Sequence, residues 1–169
     1  AFAIDFAAGF GDRLDRLDES AMLRRRLLDG ELVTHDGPVY PMKDALVAPR
    51  PVQARLPIMI GGSGPKKTLR TLAKYGDQWN AMGRLEKLAE RDAILREHCA
   101  AVGRDESEIE RTTTVDIVIR NTRDAALAAY KGRLAANGEE FDETWNFFCG
   151  APEEVAEGLR PLVDLGFRH

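Results

Sequence analysis

From residue 57 onward the chain alternates short apolar or β-branched runs with longer stretches of helical periodicity, and this alternation restricts the folds open to it. Residues 58–60 form an all-apolar run after Pro57, the mark of a strand buried on both faces. A helix follows over 66–75 with Leu69, Leu72 and Ala73 facing inward, then a second short strand in GDQWNAM, 76–82. Residues 85–102 place Leu88, Leu95, Cys99 and Val102 on one helical stripe, and Gly103 ends it. TTTVDIVIR, 112–120, is β-branched enough to read as one strand. Helical patterns return over 122–136, around 140–148 and over 152–165. In the last, Pro152 suits the first helical position, Glu153 and Glu154 suit the positive dipole end, and Pro161 is expected to kink the helix. Strands alternating with helices imply an α/β fold of parallel strands joined by right-handed crossovers.

The segment before this is different. Residues 12–28 put Leu14, Leu17, Ala21 and Leu28 on a helical stripe that Gly30 stops. Residues 31–56 hold four prolines and a DGP turn with little periodicity, so a long irregular insertion with at most short strands is expected. Such loops in compact domains are usually functional. Arg24, Arg25 and Arg26 spread around nearly a full helical turn and read as a solvated face.

Composition narrows the function. The net charge of −4 lacks the basic footprint of a nucleic-acid binder. No run reaches the roughly 18 apolar residues of a membrane span. Cys99 and Cys149 stand apart without CxxC or histidine company, so buried free thiols in a reducing cytoplasm are expected. No carboxylate pair and no Cys/His/Asp cluster has the spacing of a triad or a metal site, so no catalytic acid, base or metal ligand is assigned. His98, between Glu97 and Cys99, reads as an exposed residue on the polar side of its helix. His35 reads as loop surface, and His169 as the point where the chain is cut. Arg120 ends a strand, where a solvated arginine and a functional one are both open.

The chemistry concentrates in PIMIGGSGPKKTLRTLAKYGDQWN, residues 57–80, where three glycines in four positions separate a strand from a helix. A dinucleotide fingerprint fails because Lys67 stands where a third glycine or alanine must pack, and no acidic residue follows at the expected distance. A P-loop fails because Lys66 occupies its last glycine. There remains the phosphate cradle of a β/α barrel, in which successive amides and a helix N-terminus face the anion. Gly61, Gly62, Ser63 and Gly64 supply the nest, Ser63 and Thr68 hydroxyls, and Lys66 or Lys67 a charge. A tight turn that binds nothing is the alternative. Lysines in a first helical turn oppose the dipole and weigh against it.

This stretch resembles the luciferase-like monooxygenase family, most closely its deazaflavin-dependent oxidoreductases. The resemblance extends in order to FGDRLDRLDES, DGPVYPMKDALVAPRPVQARLPIMIGG, REHCAAVGRDESEIERTTT and CGAPEEVAEGLRPLVDLGFRH, with Gln78 and Ala151 as departures from the family pattern. It implies a (β/α)8 barrel of the TIM type. Residues 58–61, 77–80 and 112–119 become strands five, six and seven, and strand eight opens at Gly166. Such a barrel takes about 250 residues, so 169 residues read as one partial barrel domain, 1–169, covering strands five to eight. The resemblance further implies an oxidoreductase or monooxygenase that exchanges a hydride between a small organic substrate and reduced flavin or deazaflavin. The cofactor would be FMN or the deazaflavin coenzyme F-420. Its phosphate would rest on Gly61, Gly62, Ser63 and Gly64, with Lys66, Lys67 and Thr68 beside it and Trp79 and Asn80 at the ring. A plain core aromatic is the alternative for Trp79. A small-molecule substrate, a homo-oligomer such as a dimer, and no nucleic-acid or membrane partner complete the expectation. The competing reading is a truncated, cofactor-free paralogue that acts as a binding or structural partner.

Overall fold

The structure is a computed structural model that describes residues 9–142 and 146–168. The chain forms two compact units, Ala1–Trp79 with Ala93–Ile109, and Asn80–Asp92 with Glu110–His169.

In the first unit, α1 (Phe10–Leu28) is followed by the hairpin β1 (Val33–His35) and β2 (Met42–Ala45), then β3 (Met59–Gly61) and α2 (Thr68–Tyr75). It also holds the start of β4 (Gln78–Ala81), the end of α3 (Leu85–Ala101) and a 3-10 turn at Glu106–Glu108. Helix α1 has Asp12 in its first turn and Arg25 and Arg26 in its last, each favourable with the helix dipole. It ends where Gly30 takes φ +83°, a left-handed value that glycine adopts without a Cβ penalty. Its buried residues include Ala21, Leu23 and Arg25, while Leu14, Leu17 and Leu28 are only half-buried. Arg25 is thus no part of a solvated face: Asp77 draws it inward at 3.1 Å.

Residues 31–56 do carry only short strands. β1 and β2 pair antiparallel, Val33 to Ala45 and His35 to Met42. Glu19 of α1 anchors this insertion, accepting from the Tyr40 and Val39 amides at 3.0 and 3.4 Å and meeting His35 Nε2 at 3.0 Å. His35 is therefore half-buried and tied down, not loop surface. Helix α2 buries Thr68, Leu69, Thr71, Leu72 and Ala73. It starts two residues later than the periodicity predicts, because Pro65, Lys66 and Lys67 form the preceding turn. Strand β3 is not covered on both faces: Ile60 is buried, but Met59 is 52% exposed on the opposite face.

The GRD passage after α3 closes three ends. Gly103, at φ +68°, ends α3. Arg104 donates to the carbonyls of Leu72, Ala73 and Gly76, at 3.4, 3.2 and 2.6 Å, and so caps the C-terminus of α2 with a cation. Asp105 accepts from the Ser107 amide at 2.9 Å and caps the 3-10 turn. On α3, Leu88, Leu95 and Cys99 are buried as expected, whereas Val102 beyond the helix is 43% exposed.

β3, β4 and β5 (Glu110–Thr113) stand in that order in one sheet, the order of the chain. In the second unit, β6 (Asp116–Ile119) and β7 (Phe147–Gly150) pair parallel, Asp116 opposite Phe147 and Ile119 opposite Gly150. Residues 112–120 are therefore two strands in two sheets, broken at Thr114 and Val115. Propensity favoured strand throughout, but β5 and β6 answer to different partners. Residues 147–148, expected in a helix, lie in β7; positions 143–145 of that expectation fall outside the described residues. Phe147 stacks on Tyr130 of α4 (Arg123–Ala136) at 4.0 Å, and Phe141 meets both rings edge-on.

Helix α5 (Pro152–Asp164) runs continuously through Pro161. Ala151 has no side chain with which to cap it, but Glu154 reaches back to the Ala151 amide at 2.8 Å, one half of a capping box. Past its end, Phe167 bridges Arg111 in parallel, and the Arg168 amide donates to the Arg111 carbonyl at 3.0 Å. Arg111 is itself buried against Asp92 at 2.8 Å. Cys99 and Cys149 are free and buried. No helix among the described residues is long and apolar enough to cross a membrane.

Candidate functional site

The glycine turn between β3 and α2 is held by its carbonyl groups. The Trp79 indole Nε1–H donates to the Gly62 carbonyl at 2.8 Å. The Leu69 amide donates to the Gly64 carbonyl at 3.1 Å, and His98 Nε2–H donates to the Pro65 carbonyl at 2.7 Å. A trans peptide points its N–H opposite its C=O. Fixing the Gly62 and Pro65 carbonyls on the scaffold therefore turns the next two amides, those of Ser63 and Lys66, away from it. Neither amide has an acceptor among the described residues. No side chain caps α2, and no acidic residue stands in its first turn. The positive end of that helix is left open.

The glycines are not equivalent. Gly62 takes φ +104°, which a side chain would strain, and a Cβ on Gly64 would fall 2.8 Å from Thr68 Oγ1. Gly61 has neither reason: its backbone is not left-handed, and a Cβ there would meet nothing among the described residues within 4 Å beyond its chain neighbours. Glycine at 61 thus leaves open space past the end of β3, room for a ligand's oxygens close to the backbone. The turn and helix end fit an anion such as a phosphate ester.

Of the two lysines, Lys67 is half-buried and engaged with α1, its ammonium 2.6 Å from Asp15 and 3.4 Å from the Gly11 carbonyl. Lys66 is exposed and has no side-chain partner among the described residues. Ser63 is half-buried and Thr68 buried in the same turn. Trp79 is fully buried, so its part here is to hold the turn from behind. In the second unit, Asn80 donates to Thr112 Oγ1 at 3.0 Å. Arg120 is exposed, its guanidinium folded onto the Ile119 carbonyl at 2.7 Å.

Sequence reasoning missed two supports. His98 was expected on the exposed side of α3; it is half-buried and bonded to the turn, because the residue it serves lies 33 positions earlier. Asp77 accepts from the Ile58 amide at 2.8 Å and from Arg25 and Arg55 at 3.1 and 2.7 Å, fixing the entry to β3. The acidic residue directly ahead of a strand was the available signal. Among the described residues no group of three or more His, Cys, Asp or Glu could hold a metal.

The luciferase-like monooxygenase family profile matches residues 2–144. The chain is 27% identical to an F420-dependent glucose-6-phosphate dehydrogenase of Microbacterium testaceum, over 94% of this chain and 54% of that protein. It is 30% identical to the same-named enzyme of Kineococcus radiotolerans, over 94% and 54%. An F420-dependent hydroxymycolic acid dehydrogenase of Mycobacterium tuberculosis is 28% identical over 90% of this chain and 38% of its own. The chain spans about half the length of the first two. Among solved structures, an F420-dependent secondary alcohol dehydrogenase superposes with a TM-score of 0.77 at 18% identity, covering 97% of this chain and 57% of that one. A long-chain alkane monooxygenase superposes at 0.74 and 17%, covering 99% and 53%. These two likenesses bear on the fold alone. With a profile match over most of its length, and the β3–α2 turn built to leave amides open, the chain belongs to the luciferase-like monooxygenase family.

Proposed function

We propose that this chain carries the phosphate corner of an oxidoreductase that uses a deazaflavin or flavin, F420 or FMN. The observation that supports it most is the turn itself: carbonyls drawn inward by Trp79 and His98, amides of Ser63 and Lys66 left outward, and open space at Gly61. Gly61, Gly62, Ser63, Gly64 and Thr68 would receive the phosphate, Lys66 would neutralise it, and Lys67 would brace the turn against α1. The cofactor, when bound, supplies hydride exchange with a small organic substrate. The protein's part is to orient it and set its electrostatics. The F420 dependence of those relatives favours the deazaflavin.

Residues 1–169 form one partial domain of a β/α barrel, with β3, β4, β5 and the segment at Phe167 as its fifth to eighth strands. The chain-order sheet and the parallel bridge from Phe167 to Arg111 support this. The protein assembles as a homo-oligomer, and its buried free thiols fit the reducing cytoplasm.

Fluorescence titration of the protein with F420 and with FMN tests the central claim. Micromolar binding of at least one, weakened by inorganic phosphate, is the expected outcome. Binding of neither overturns the proposal.

A further inference from the structure

We propose that His98 is a positioning residue for the phosphate of the bound cofactor. It acts through the Pro65 carbonyl and touches no ligand. This rests on the reading of the β3–α2 turn as a phosphate cradle.

Among the described residues, three carbonyls of the segment 62–65 accept hydrogen bonds, and these bonds differ in kind. The bond from the Leu69 amide to Gly64 belongs to the start of α2 and forms with that helix. Trp79 is fully buried, and its hold on Gly62 forms with the core. His98 is the remaining hold, a half-buried side chain on α3 whose Nε2–H reaches 2.7 Å to Pro65. It is the one whose loss leaves the core filled.

Pro65 is the peptide that matters most for direction. Being proline, it has no N–H to present, so the next amide available to an anion is that of Lys66. The orientation of the Lys66 amide is set by the same peptide plane whose oxygen His98 holds. The Lys66 ammonium, with no other partner among the described residues, follows that backbone. Releasing the Pro65 carbonyl therefore loosens one amide and one cation together, and both serve a phosphate. The tautomer is fixed as well: a carbonyl accepts, so Nε2 must carry the proton.

The test compares pairs of ligands in which one member carries the ribityl phosphate and the other lacks it. FMN and riboflavin are titrated into the wild type, His98→Leu and His98→Gln; F420 and its dephosphorylated ring-and-ribityl core serve as a second pair. The wild type is expected to prefer the phosphorylated member of at least one pair. If it prefers neither, the cradle reading itself fails. His98→Leu is expected to lose about tenfold in affinity for that phosphorylated member, the effect of one hydrogen bond, with the other member unchanged. Glutamine keeps an N–H at similar reach and is expected to recover most of the loss. Equal weakening of both ligands, or an unchanged preference in His98→Leu, overturns the inference while leaving the cradle standing. Thermal melting of each variant without ligand separates a local effect from a general loss of fold.

Discussion

Asp77 Oδ2 lies 2.8 Å from the Ile58 amide and 3.1 Å from the Arg25 guanidinium, so one carboxylate secures both the entry to β3 and the last turn of α1. Arg55 closes on the other oxygen at 2.7 Å. Arg25 also donates to the Leu56 carbonyl at 2.7 Å. Asp77→Ala strands a buried arginine and frees the strand's first amide. A loss of about 3 kcal/mol is expected in denaturant unfolding. A loss below about 0.5 kcal/mol would show that the cluster contributes nothing net.

Gly61 separates the ligand's demands from those of the fold. Among the described residues a methyl group there meets no atom beyond its chain neighbours within 4 Å, so Gly61→Ala is expected to leave stability within about 0.5 kcal/mol. It does fill the space the phosphate would use. Cofactor affinity is expected to fall sharply in isothermal titration at unchanged melting temperature. Unchanged affinity would place the phosphate elsewhere.

Lys66 and Lys67 are expected to part company. Lys66→Met removes a cation without a partner among the described residues from the positive end of α2, so the free protein should be as stable as the wild type or slightly more so. Its affinity for cofactor should drop by about 1.5–3 kcal/mol, the range for a charge-assisted hydrogen bond. Lys67→Met loses a partly exposed pair with Asp15 and should cost about 0–1 kcal/mol of stability. Chemical denaturation of each variant with and without ligand distinguishes them, and a Lys66→Met variant equally destabilised in both states makes that lysine structural.

Glu19 gives the insertion a pH dependence. Burial would raise its pKa, but hydrogen bonds from Tyr40, His35 and Val39 outweigh it and hold the carboxyl below the ordinary glutamate value. A group depressed in the folded state contributes stability that is present above its unfolded pKa and lost as pH falls through the folded one. The stability gap between wild type and Glu19→Gln should therefore be constant at neutral pH and close in acid, below the ordinary glutamate range. Thermal melts across that range check it; a gap that widens in acid contradicts the assignment.

Ala151 leaves one half of a capping box unused. Ser in its place, with the same extended backbone, can accept the Glu154 amide at the start of α5. Ala151→Ser is expected to stabilise the protein by about 1 kcal/mol in denaturant unfolding. A destabilised variant would mean the hydroxyl cannot reach.

Helices and turn were legible because their signals are local. α1, α3, α4 and α5 each begin and end within two residues of where stripe, cap and glycine place them. The turn was legible because Gly61, Gly62 and Gly64 separate an apolar run from a helical one. What escaped depends on residues distant in sequence. Phe147–Gly150 becomes a strand by pairing with Asp116–Ile119, and FFC alone fits strand or helix equally. Arg25 reads as solvated until Asp77, 52 residues on, meets it. His98 could not be placed without knowing that a carbonyl of the glycine turn lies beside α3.

The three carbonyl holds on the glycine turn have a kinetic consequence. Their bonds form as the chain folds, so the loss of backbone conformational entropy in this segment is already complete before any ligand arrives. A ligand then meets a rigid receptor, and encounter leads directly to the final complex. Stopped-flow traces should be single-exponential, with a rate that rises linearly with cofactor concentration and no plateau from a slow ordering step.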